Sequence, residues 1–184
     1  MRYIILWILI LWVIAIPPSH AQRYLIRAGE VGFTSDAPLE LIKASNKAVS
    51  GIIDFETQTF VIQIDNKSFV GFNSPLQQEH FHENYLESHR FPKSTFKGKI
   101  IEKVDLQAGQ PISVRAKGIL QIHGIEQERI IKATLLLDGK GVVKLESKFS
   151  LLLEEHQISI PKIVKEKIAE EIYIQLYAEL VVKD

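Results

Sequence analysis

"VKLESKFSL", residues 143–151, alternates without a break. Val143, Leu145, Ser147, Phe149 and Leu151 fall on one side, and Lys144, Glu146, Lys148 and Ser150 on the other. A period of two is what an antiparallel strand needs when one face meets a core and the other meets water. The pattern recurs along the chain. "IYIQLYAEL" (172–180) sets Ile172, Ile174, Leu176, Ala178 and Leu180 against Tyr173, Gln175, Tyr177 and Glu179. "SVRAKGILQIHG" (113–124) aligns Val114, Ala116, Gly118, Leu120 and Ile122. "FKGKIIEKV" (96–104) places Phe96, Gly98, Ile100 and Val104 opposite Lys97, Lys99 and Lys103. "TFVIQI" (59–64) and "IKATLLL" (131–137) are two further runs. Eight or nine strands follow, most of them long, and the fold class is all-β.

Glycines recur inside strand segments, at Gly51, Gly98 and Gly118. Glycine weakens a strand but permits the sharp bend of a barrel corner. Long strands, apolar on one face, with glycine corners suit a closed antiparallel barrel, which leaves no exposed edges. A β-sandwich is the alternative. "HGIEQE" (123–128) and "DGKG" (138–141) read as hairpin turns. "PKIVKEKIAEE" (161–171) reads as a short helix or coil whose Lys and Glu side chains face solvent. The alternation in six separate strands predicts one shared interior for Phe60, Ile62, Phe96, Val114, Leu120, Leu135, Phe149 and Leu176.

The first 21 residues differ in kind. Met1-Arg2 precedes an apolar run from Tyr3 to Ile16, and Ser19-His20-Ala21 supplies small residues before Gln22. This is the pattern of a secretory signal, cut near Ala21. The run is shorter than the ~20 residues a spanning helix takes. An uncleaved anchor is the competing reading. The expected layout is therefore a signal peptide at 1–21 and one domain at 22–184, located in the periplasm or secreted. Basic and acidic residues are equal in number over the whole chain, so loss of Arg2 leaves a net charge of −1. That argues against nucleic acid, whose binding needs a clustered cationic face. Cysteine is absent. A lipid-modified cysteine and disulfides are thereby excluded, and the domain must be held by its core alone.

One stretch is helical. In "NSPLQQEHFHENYLESHRFP" (73–92), Ser74 is an N-cap, Pro75 the first helical residue and Gln77 the third residue of a capping box. Pro92 ends the segment, and the helix is expected from Pro75 to about His89. At ~100° per residue, Phe81, Tyr85 and Leu86 share the apolar face, with His82 and His89 on its flank. Glu79, Glu83, Glu87 and His80 take the other side. Three histidines among glutamates raise the question of a metal. His80 and His82 point about 200° apart, and His82 and His89 are separated by ~10 Å of rise, too far for one ion. The zincin pattern needs a histidine where Leu86 stands. The helix therefore reads as a cover packed over the end or side of a barrel. No cysteine nucleophile, G-x-S-x-G or phosphate-cradling glycine loop is present. His123 reads as a turn residue and His156 as a surface residue. Neither catalytic residues, nor a cofactor, nor a metal is expected.

The order and spacing of these motifs resemble the YceI-like family of secreted, lipocalin-like proteins. The resemblance spans nearly all of residues 24–182. It rests on "VGFTSDAPLELIKASNKAVSGIIDF" (31–55), with Val31-x-Phe33 followed by the Gly51 strand. It continues with the helix and the Phe91-Pro92-to-Phe96 strand entry, and with the Gly118, Leu120, Ile122, Gly124 hairpin. The resemblance implies an eight-stranded antiparallel barrel with a long internal apolar pocket, associated with polyisoprenoid chains in the periplasm. On that basis Phe60, Ile62, Phe81, Tyr85, Phe96, Val114, Leu120, Leu135, Phe149 and Leu176 are the candidate ligand-binding residues. The expected partner is a polyisoprenoid or other long-chain lipid, with transient membrane contact, and the expected role is carriage or storage rather than catalysis. The histidine-rich helix departs from the family at the pocket mouth, and the abundance of Ile and Leu keeps a second expectation open, a filled barrel acting as a structural or stress-related interaction domain. His82 and His89 are expected beside the barrel entrance.

Overall fold

Each alternating segment forms a strand in the computed structural model, which describes residues 23–183. The signal peptide expected at 1–21 lies outside the described residues. The strands are β1 (Arg23–Asp36), β2 (Leu41–Asn46), β3 (Val49–Asp54), β4 (Thr59–Asp65), β5 (Lys93–Ile100), β6 (Pro111–Ile122), β7 (Ile125–Leu137), β8 (Val143–Leu152) and β9 (Glu171–Val182). All named pairings are antiparallel, and from β3 to β9 the spatial order follows the chain. β9 then pairs with β1, from Tyr24 opposite Val182 to Thr34 opposite Tyr173, and closes the cylinder. A sandwich would leave its two sheets unjoined at their edges, whereas here one sheet closes on itself through β1 and β9, so the barrel is the correct alternative.

β2 and β3 together fill one barrel position. Val31 opposite Asn46 and Leu25 opposite Ile52 lie on a single register with β1, so the two are halves of one strand broken at Lys47–Ala48. Asn46 explains the break. It is fully buried, its Oδ1 accepts from the Ala48 N–H at 2.7 Å, and its Nδ2 donates to the Asp65 carbonyl at 2.6 Å. The barrel thus has eight positions, a number that leaves room for side chains or one small ligand.

Gly98 and Gly118 stand opposite each other on β5 and β6. A Cβ on Gly98 would overlap the Lys117 carbonyl oxygen, and one on Gly118 the Lys97 carbonyl oxygen. The sheet can be drawn in here only because both positions lack a side chain. The β5 run is shorter than its alternation suggests. It ends at Ile100, and Val104 packs against the core from the loop beyond it.

The β7–β8 ladder runs only from Leu137 opposite Val143 to Ala133 opposite Ser147. Above that point β8 pairs with β9 alone. Ser147, the one polar residue on the inward face of β8, donates from its Oγ to the Lys132 carbonyl at 2.7 Å, where the ladder stops. A 3₁₀ turn, Leu153–His156, occupies the gap beside β7. Its His156 is fully buried, which corrects the surface position expected from sequence. The reason is the left-handed turn at Gln157 (φ 55°), which folds "LLEEH" back against the barrel instead of away from it.

The two barrel ends differ. At the end formed by the N-terminus of β1, Val143, Ala178 and Leu180 are fully buried, and Tyr24 meets Phe55 edge-on at 5.1 Å. This end is packed solid. The other end is hollow, and the contrast predicts a stability difference. Leu180→Ala removes atoms from the packed end and should cost ~2–5 kcal/mol. Phe149→Ala removes a larger side chain, but one that already borders empty space, and should fall below the ~3–5 kcal/mol usual for a buried Phe. Urea denaturation of both variants checks the order. A larger loss for Phe149→Ala would contradict the hollow upper barrel.

Candidate ligand-binding cavity

The inward side chains form continuous rows because the antiparallel register carries each row from strand to strand. Ile62, Phe96 and Leu120 make one row across β4, β5 and β6. Val114, Ala133, Ser147, Leu176 and Val31 make another across β6, β7, β8, β9 and β1. Phe149, Ile174 and Phe33 make a third. Between these rows lies a cavity of about 500 Å³. This is within the roughly 300–1,000 Å³ of small-molecule sites. Ile53, Phe60, Ile100, Val114 and Leu135 line its deep end.

A roof covers the opposite end. Helix α1 (Pro75–His80) continues into a π-helical turn, Phe81–Tyr85. Ser74 caps it as expected, its Oγ accepting from the Gln77 N–H at 3.2 Å. The return bond is displaced by one residue, since Gln77 Oε1 accepts from the Asn73 N–H at 3.0 Å. The helix stops earlier than the expected His89. Leu86 N–H reaches the Phe81 carbonyl at 2.8 Å, which widens the last turn, and Glu87 then adopts a left-handed conformation (φ 44°).

That early stop relocates three residues. Glu87 does not face open water. Its carboxylate bonds His123 Nε2 at 2.6 Å, while His123 Nδ1 bonds the His156 carbonyl at 3.0 Å. The helix end is thereby tied to the β6–β7 turn and to the 3₁₀ turn. His82 does not border the opening, because its Nδ1 bonds Ser88 Oγ at 2.9 Å and its ring lies edge-on to Phe81. His89 is exposed and does not line the cavity. The histidine at the mouth is His80, which sequence reasoning had placed with the outer glutamates. Among the described residues no group of three or more His, Asp or Glu could hold a metal ion.

Phe81 fixes the roof to the wall. It stacks on Phe33 at 5.3 Å and meets Phe69 at 5.4 Å and Phe72 at 4.9 Å. Buried Asn66 adds a polar anchor, donating to the Phe91 carbonyl at 2.8 Å and accepting from Ser94 Oγ at 2.8 Å. Tyr85 hangs from the roof into the cavity. Burial raises its phenol pKa, so the hydroxyl stays protonated, and it has no protein hydrogen-bond partner among the described residues.

All ten candidate residues line this one cavity, Phe81 and Tyr85 from the roof and the other eight from the strands. The sequence reading missed the rest of the mouth. Val164, Lys167 and Ile168 also line the cavity, so the 161–171 segment is not a purely solvent-facing loop. Its backbone explains this: Leu39 N–H bonds the Glu166 carbonyl at 2.9 Å, and Ala169 N–H bonds Ser35 Oγ at 2.9 Å. Hydrogen bonds to the end of β1 pull the segment over the barrel. Its pattern Val164, Ile168 is a helical i, i+4 spacing that could have signalled an inward face.

His156 sits in the 3₁₀ turn beside β7 and the β6–β7 turn. Its ring nitrogens lie against the backbone of Ile122 and Ile125 without a hydrogen bond of good geometry. Burial is the main cause that holds its pKa below the usual histidine value, so the folded protein keeps it neutral. A group whose folded pKa is depressed binds its proton more readily when unfolded. Its contribution is complete above the unfolded value of ~6.5 and is lost as pH falls below that. His156→Leu should therefore flatten the decline in stability below pH ~6.5. Denaturation midpoints at several pH values read this directly. Parallel curves for the variant and the wild type would contradict it.

The model of the YceI-like domain family matches residues 27–180. The chain belongs to the YceI-like family. No curated protein matches it. Among solved structures, a polyisoprenoid binding domain from Saccharophagus degradans implicated in plant cell wall breakdown is similar over 87% of this chain and 98% of its own, with a TM-score of 0.75 and 13% identity. BcnA of Burkholderia cenocepacia is similar over 82% and 95%, with a TM-score of 0.68 and 16% identity. A YceI protein of Campylobacter jejuni is similar over 77% and 84%, with a TM-score of 0.58 and 15% identity. At these identities the likeness establishes a shared YceI fold.

Proposed function

We propose that this YceI-family barrel binds a long apolar lipid of the polyisoprenoid type, one chain per barrel, and carries or stores it without chemical change. The observation that carries the reading is the cavity: about 500 Å³, walled by aliphatic and aromatic side chains, closed at one end and opening at the other beside α1. The interior serines Ser35, Ser94 and Ser147 are each held by protein hydrogen bonds, so the wall offers a chain little polar resistance. The Saccharophagus degradans relative is described as polyisoprenoid binding, which supports the same ligand class here. A filled barrel without a ligand has no such space.

In this reading the tail lies among Phe60, Ile62, Val114, Leu120 and Leu135, and the head group stays near the mouth. The free Tyr85 hydroxyl is the polar handle closest to the roof, with His80 and Lys167 at the rim. The chain is exported and cut near Ala21, and the domain from Gln22 works in the periplasm or outside the cell. Uptake measurements with isoprenoid alcohols of increasing length test the ligand class. Affinity should climb with each isoprene unit until the tail reaches the packed floor, then level off. Affinity independent of chain length would contradict it. The N-terminal sequence of protein recovered from the envelope fraction should begin at Gln22.

A further inference from the structure

Three exposed aliphatic side chains from three separate segments belong to the cavity lining or directly precede residues of it. Leu76 of α1 lines the opening and is 58% exposed. Leu39 is 66% exposed, precedes Glu40 of the lining, and its N–H bonds the Glu166 carbonyl across the rim. Ile163 is 91% exposed on a 3₁₀ turn and precedes Val164 of the lining. Water-facing side chains of this size are normal when single, but a group of them around one opening marks an interaction surface. Through Leu76, which both lines the cavity and reaches the surface, this face adjoins the apolar interior.

We propose that this collar docks on a lipid bilayer surface, so that the cavity opens directly into the membrane. The inference rests on the lipid reading above. A long apolar chain can leave a bilayer without crossing water only where the cavity's apolar wall continues to the membrane, and the collar provides that path. Ile163 is placed to enter first. Lys162 and Lys165 flank it, and their long apolar stems can lie along the interface while the ammonium groups stay at head-group level. The surrounding charges are mixed. Lys43, Lys162, Lys165, Lys167 and His80 stand among Asp36, Glu40, Glu79, Glu83, Glu166 and Glu170, with Lys165 paired to Glu170 at 3.2 Å and Glu40 bonded by Gln77 at 2.8 Å. Docking is therefore led by apolar insertion, with only weak dependence on salt or lipid charge.

The test is flotation with vesicles of phosphatidylcholine alone and of phosphatidylethanolamine with phosphatidylglycerol, using residues 22–184 and a Leu39→Ser/Ile163→Ser variant. Neither substituted residue lines the cavity. The wild type should float with both vesicle types, and the variant with neither. Uptake of a polyisoprenoid from vesicles should fall about tenfold in the variant, while uptake from detergent dispersion stays at the wild-type level. Equal flotation of the two proteins, no flotation of either, or a wild-type dimer that the variant dissolves without any vesicle binding would overturn the collar. Failure of the wild type to take up lipid from detergent would overturn the lipid reading on which it rests.

Discussion

Replacing Gly98 or Gly118 by valine is expected to leave the protein unable to fold. The two residues are paired across β5 and β6, and any Cβ at either meets the other strand's carbonyl oxygen. Overpacking a core with extra carbons costs ~1–3 kcal/mol, because side chains can shift to other rotamers. A backbone carbonyl within a ladder has no such freedom, so the cost here should exceed that range. A domain of this size has about 5–15 kcal/mol of stability in total. Loss of soluble protein, or of a cooperative transition in circular dichroism, is the expected result. A Gly98→Val protein that unfolds at the wild-type midpoint would show that the approach of β5 and β6 is not fixed as described. Gly51 is a milder case, with the nearest backbone atom 2.6 Å from a built Cβ.

The second large effect concerns the empty space. Ala133 lies in the row between Val114 and Ser147 and lines the cavity. In Ala133→Trp the indole would occupy volume now available to a ligand. Polyisoprenoid uptake should fall by about tenfold or more, equivalent to ~1.4 kcal/mol of binding free energy. The fold should survive, since the added atoms enter a void rather than a packed wall. The substitution also brings its own probe, because both natural tryptophans, Trp7 and Trp12, precede Gln22. A blue-shifted emission would place the indole in the cavity. Retained uptake together with that emission would contradict the assignment of the cavity as the binding site.

The barrel was legible because strand alternation is a local signal that tertiary contacts reinforce. Once Val143, Leu145 and Phe149 share a face, the register of β8 on β9 sets Leu180, Ala178 and Ile174 opposite them. Eight of the ten candidate lining residues follow from that period alone. The roof was less legible. A helix wheel at 100° per residue fails at the π turn, and with it the positions of His80, His82 and Glu87. Positive φ at Glu87 and Gln157 was invisible because neither is glycine, and each reverses the chain where the pattern suggested it would run on. Glu87 thereby meets His123 of the expected hairpin turn. The mouth was the least legible part. The segments that carry Lys167, Ile163 and Leu39 lie more than a hundred residues apart and are joined by one bond to the Glu166 carbonyl and one to the Ser35 hydroxyl, which no local pattern encodes.

The most direct test is chemical. Protein purified from its native cell, without detergent, would be extracted with organic solvent and the extract analysed by mass spectrometry beside the Ala133→Trp variant prepared in the same way. The account predicts one polyisoprenoid-tailed molecule per barrel from the wild type and far less from the variant. An extract free of long apolar chains, from a wild-type protein that also takes up none when they are offered, would contradict it.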